Sequence, residues 1–175
     1  MRIPLFAIAL ALSACTSVVR STVAELETRS PVDTDPAAMT IVADLPPGLG
    51  IAEGSPTLRL SALRSDTGAQ TEGVFVLARG GAPGAETFRV APADLDRFRR
   101  LQAQIKDWKA EAASETKGQL NMGVKGCRIG AGPVPSASLS IAMQLEEDGP
   151  VLPLIRPTPI KRVLRITGVE ELPDC

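Results

Sequence analysis

The chain contains no histidine and no tyrosine. Histidine is the usual general base near neutral pH and the commonest metal ligand. Its absence excludes Ser-His-Asp and Cys-His catalysis within this chain, and zinc sites of the His-Glu-x-x-His kind. Aromatics make up only 3%, with Trp108 the single tryptophan, so few platforms exist on which a sugar could stack. An excess of basic charge is also missing. Lysine plus arginine number 19 against 20 acids, which gives no global field to attract nucleic acid. The longest apolar run near the start, Ile3 to Leu12, is ten residues and too short to span a bilayer as a helix. Two cysteines outside the N-terminal region are too few for a structural zinc or iron–sulfur site, so no metal or other cofactor is expected.

What is abundant is turn chemistry, with glycine and proline at 15 each. Between the turns lie short runs of β-type pattern. Strands are expected at 39–43, 57–64, 73–78, 86–91, 118–127, 138–145, 151–155 and 160–166, with 80–84 as a glycine-rich loop. In 138–145, Leu139, Ile141, Met143 and Leu145 alternate with smaller or polar residues, the mark of a sheet with one covered face. Asp66-Thr67-Gly68 joins the runs before and after it into a hairpin. Pro153 confines its strand to an edge or a bulge.

The period changes once. Leu95, Phe98, Leu101, Ile105, Trp108 and Ala112 recur at three- and four-residue steps, and Pro92 suits a helix start. An amphipathic helix over about 93–113 follows. Seven or eight short strands with turns every eight to twelve residues, plus one inserted helix, predict a mainly β fold: an antiparallel β-sandwich or small barrel. No internal repeat is present, and nothing in the chain marks an oligomeric state.

The N-terminus has its own organisation. Arg2, the apolar run Ile3–Leu12, small residues and then Cys15 follow the layout of a secretory signal. The stretch Leu12-Ser13-Ala14-Cys15 resembles the lipobox of bacterial lipoprotein precursors at all four positions. The resemblance covers about the first fifteen residues. It implies cleavage before Cys15, acyl chains such as palmitate on that residue, and an anchor in the cell envelope facing the periplasm. Thr16, where an Asp would retain the protein at the inner membrane, implies the outer membrane. Two or more acyl chains give stable anchoring. The expected organisation is therefore a signal peptide at 1–14, the lipidated Cys and a polar tether at 15–36, and one β-rich domain at 37–175. Within the tether, Val23-Ala24-Glu25-Leu26 has the makings of a first strand and Asp33-Thr34-Asp35 reads as a solvated turn. Removing residues 1–14 takes away Arg2 and moves the formal charge from −1 to −2.

With Cys15 assigned to lipid, Cys127 and Cys175 remain as a pair, and an envelope compartment permits a disulfide between them. No catalytic, cofactor or metal residue is assigned. Glu146-Glu147-Asp148 reads as a turn rather than a catalytic acid pair. The function expected is a non-catalytic, membrane-anchored module that contacts another envelope protein. The alternatives are a carrier of an apolar ligand held between sheet and helix, and a histidine-independent hydrolase. The partner surface is expected on the inserted helix, at Arg97, Arg100, Asp107 and Trp108.

Overall fold

The structure is a computed structural model, and it describes residues 32–82 and 84–175. Cys15, the lipobox-like stretch Leu12-Ser13-Ala14-Cys15 and the run at 23–26 lie outside the described residues. Among the described residues nine strands are defined: β1 (Thr40–Asp44), β2 (Leu49–Ile51), β3 (Thr57–Arg64), β4 (Gln70–Ala82), β5 (Ala85–Val90), β6 (Thr116–Gly123), β7 (Gly126–Arg128), β8 (Ser138–Gln144) and β9 (Val151–Pro159). Helix α1 (Leu95–Glu111) follows a 3-10 turn at Pro92–Asp94, and α2 (Ile160–Thr167) follows β9.

Seven strands form one antiparallel sheet in the order β6-β3-β4-β5-β1-β8-β9, curved as a half-barrel. β2 and β7 form a second, small antiparallel sheet. The chain thus adopts the mainly β, antiparallel class expected from its sequence, with the helix inserted midway. The alternation in β3 explains its placement. Leu58, Leu60 and Ala62 are buried while Arg59 is exposed. β9 lies at the sheet edge, and its register against β8 shifts twice near the pairing of Ala142 with Pro153. Pro153 therefore has both the edge and the irregularity that its missing N–H requires.

α1 packs against β3, β4 and β6. Phe98, Leu101 and Ile105 are buried, and the Phe98 ring sits 4.7 Å from that of Phe75 at a tilt of 46°. Full burial of each such side chain contributes roughly 1.5–3 kcal/mol. Gly73 allows this approach: a Cβ there would stand 2.8 Å from the Phe75 ring and 2.9 Å from Leu101 Cδ2.

Three expectations are corrected. Residues 160–166 are helix, not strand. Ile160, Val163 and Leu164 stand at helical spacing, and these three meet the core. Gly168 at φ +70° then ends α2, with Val169 N–H donating to the Leu164 carbonyl at 3.1 Å. Second, Gly80 to Ala82 are not loop but the end of β4, paired with β5 as far as Ala82 opposite Ala85. Residues lacking bulky side chains give no period to read, yet their backbone groups still complete the ladder. Third, residues 32–36, expected in the tether, pack on α1. Val32 and Pro36 are buried. Gln102, buried in the helix face, donates from Nε2 to the Thr34 carbonyl at 2.7 Å.

Candidate functional site

The expected partner surface on α1 divides in two. Arg97 turns back onto the sheet. Its guanidinium donates to the Val74 carbonyl at 2.7 Å, lies 4.2 Å from the centre of the Phe75 ring, and pairs with Asp94 at 3.1 Å. Trp108 is half-buried against the core. Its carbonyl accepts from Ala112 N–H and Thr116 Oγ1. Arg100 and Asp107 are exposed, and their spacing of two helical turns sets them on one solvent-facing stripe. The structure therefore leaves Arg100 and Asp107 exposed on one stripe, while Arg97 contacts the sheet and Trp108 packs against the core.

The N-terminal segment neutralises much of the remaining helix charge. Lys106 pairs with Asp33 at 3.3 Å, and Arg99 pairs with Asp35 at 3.0 Å. The Ala37 N–H donates to Asp35 Oδ1 at 3.2 Å. That hydrogen bond, and then Arg99, hold the Asp35 carboxyl below its ordinary value. Asp33-Thr34-Asp35 is the solvated turn expected, and its two carboxylates also lay the segment on α1. At the far end of the helix, Arg64 is shared by Asp66 and Glu111. The Arg64 hydrogen bond in turn holds the Asp66 carboxyl down.

A second cluster forms around the disulfide. Cys127 and Cys175 are bonded, with sulfurs 2.04 Å apart. Cys127 is fully buried on β7, opposite Gly50 of β2. The C-terminal tail runs beside β7. Arg128 N–H donates to the Pro173 carbonyl, Cys175 N–H donates to the Arg128 carbonyl, and the Arg128 and Asp174 side chains pair at 2.7 Å.

Among the described residues, two open depressions accompany these features. One, of about 360 Å³, lies between β3, β4 and β6, where Glu72 and Lys117 are its only charged side chains. The other, of about 490 Å³, lies near the start of α1, with Arg79 and Arg89 beside apolar and small residues. The space between the sheet strands holds a void of only about 10 Å³, bordered by Met39, Leu58 and Phe88. Such a volume barely admits one water. Glu146-Glu147-Asp148 is a tight turn, closed by Gly149 N–H on the Glu146 carbonyl at 3.0 Å.

Sequence reading passed over two features. Ser114 and Lys117 have the Ser-x-x-Lys spacing of one histidine-free hydrolase chemistry. Here Ser114 lies in an exposed turn and Lys117 on β6, and the Ser114 hydroxyl donates to Glu115 at 3.3 Å. The second is the charge on α2, where Lys161, Arg162 and Arg165 are all exposed. The spacing of Ile160, Val163 and Leu164, followed by Gly168, was the available signal for that helix. No group of three or more potential metal ligands occurs among the described residues, and no helix among them is long and apolar enough to cross a membrane.

No family model, curated protein or solved structure matches this chain.

Proposed function

We propose that the chain is a non-catalytic lipoprotein of the bacterial cell envelope. It is held by acyl chains on Cys15, faces the periplasm from the outer membrane, and binds or positions another envelope protein. The observation that carries this reading is the Leu12-Ser13-Ala14-Cys15 lipobox behind a short apolar run. The bonded pair Cys127–Cys175 supports it independently, because such bonds persist in oxidising compartments such as the periplasm.

The non-catalytic part rests on chemistry. The chain has no histidine, and neither depression gathers the two separated carboxylates that glycoside hydrolysis needs. The carrier alternative asks for a cavity between sheet and helix, where Phe75, Phe98 and Ile105 instead fill the space. Within this reading, the contact surface on α1 narrows to the Arg100 and Asp107 stripe. Exposed charges there steer a partner more than they hold it.

Two experiments test the reading. Metabolic labelling with a fatty-acid probe should mark the wild type and not Cys15→Ser. An unlabelled wild type would remove the lipoprotein assignment. Crosslinking in intact cells should then capture a defined envelope protein, and Arg100→Glu should weaken binding of that protein most at low salt, the difference shrinking as salt rises. Turnover of any substrate by the purified protein would overturn the non-catalytic part.

A further inference from the structure

We infer that α2 and the adjoining end of β9 form a docking face for an anionic phospholipid surface. This inference rests on the reading that the chain is held at a membrane. The charge pattern is the first observation. Between Asp148 and Glu170 the sequence contains four basic residues, Arg156, Lys161, Arg162 and Arg165, and no acid, although the whole chain is formally −1. Ile160, Val163 and Leu164 point α2 onto the core, so Lys161, Arg162, Arg165 and Ile166 occupy the opposite, solvent side.

The second observation is the contrast with α1. There Arg97, Arg99 and Lys106 are each matched by an acid. Among the described residues, Arg156, Lys161 and Arg165 form no salt bridge. Their fields therefore add outward rather than cancel.

The third observation is apolar. Ile166 is 50% exposed, Val169 40% and Val134 65%. Val134 is brought to the same end, because the backbone N–H groups of Ile160 and Lys161 donate to the Ala137 and Pro135 carbonyls. Isolated apolar side chains among exposed cations suit an interface of headgroups, where cations are attracted one by one and short apolar groups enter shallowly. The geometry permits the approach. Residues 16–31 join the anchor to Val32, and sixteen residues span at most about 55 Å. Docking through α2 leaves the Arg100 stripe of α1 available to a protein.

The test uses the full chain, mixed with vesicles of phosphatidylcholine alone or with an equal share of phosphatidylglycerol. An amine-acylating reagent followed by peptide mapping reads each lysine. Lys161 should react about tenfold more slowly on the anionic vesicles, as several cations acting together support. Lys117 on β6 should react alike on both, and high salt should restore Lys161. Arg156→Glu with Arg165→Glu should abolish the protection, while Arg100→Glu should leave it unchanged. Equal labelling of Lys161 on the two vesicles would overturn the inference, as would protection that survives the double reversal. Protection by polyglutamate but not by anionic vesicles would assign the face to an acidic protein and overturn the lipid assignment. Retention on the neutral vesicles reports the Cys15 anchor separately, so loss of the anchor and loss of the docking face give different results.

Discussion

Gly50 and Cys175 occupy one space: a Cβ at Gly50 would stand 2.7 Å from the Cys175 sulfur and 3.3 Å from that of Cys127. Gly50 lies opposite Cys127 in the small sheet, so the disulfide needs a residue without a side chain there. Gly50→Ala is expected to cost about 1–3 kcal/mol through overpacking. The same substitution in a Cys175→Ala background should cost much less, because the sulfur is gone. Denaturant unfolding of the four chains of this cycle measures the coupling. Equal costs in both backgrounds would mean that the contact carries no energy.

The disulfide itself should matter more. It closes a long loop, with the cysteines 48 positions apart. In the chain-entropy model that loop gives about 4 kcal/mol relative to the reduced chain. Cys127→Ala with Cys175→Ala should lower stability by that order and release the tail beside β7. Loss of exchange protection at the Cys175 and Arg128 amides would report the release. Unchanged stability under reductant would contradict this role.

Arg97 and Arg100 should behave differently, though three residues apart on one helix. Arg97→Glu removes the Val74 hydrogen bond and the Phe75 contact, and is expected to cost about 1–2 kcal/mol. Arg100→Glu, on the exposed stripe, should stay within about 0.5 kcal/mol of the parent. Thermal or urea melts decide. Equal effects would show that Arg97 is as free as Arg100.

Acid should loosen the N-terminal segment. The Asp35 carboxyl lies below its ordinary 3.8, first because of the Ala37 N–H and then because of Arg99. A lowered folded value means that the stabilisation is fully present above the unfolded value and is lost as pH falls through the folded one. The Ala37 amide resonance should therefore hold steady from neutral pH down to about 4 and move below it. Asp35→Asn should remove that movement. An amide that titrates at the ordinary carboxylate value would show that the contact is absent in solution.

Much of the fold was legible because one buried face imposes a period. Leu139, Ile141 and Met143 mark β8 at a step of two, and Phe98, Leu101 and Ile105 mark α1 at steps of three and four. α2 was not read, because eight residues carrying three cations show only two turns of helical pattern. β2 was missed for the same reason, since three residues cannot display alternation. On the site, the sequence brought Cys127 and Cys175 together by leaving no other pair, but it treated the cations of α1 as equivalent.

By itself, then, the sequence determined the antiparallel β class, the inserted helix and the cysteine pairing. Each depends on neighbours along the chain or on a choice with one outcome. Only the tertiary structure decided that β1 lies between β5 and β8, that residues 32–36 pack on α1, and that Arg97 is held while the cations of α2 lie exposed. Strand order and ion pairing join residues tens of positions apart. Their energy depends on distance in space, which local periodicity does not encode.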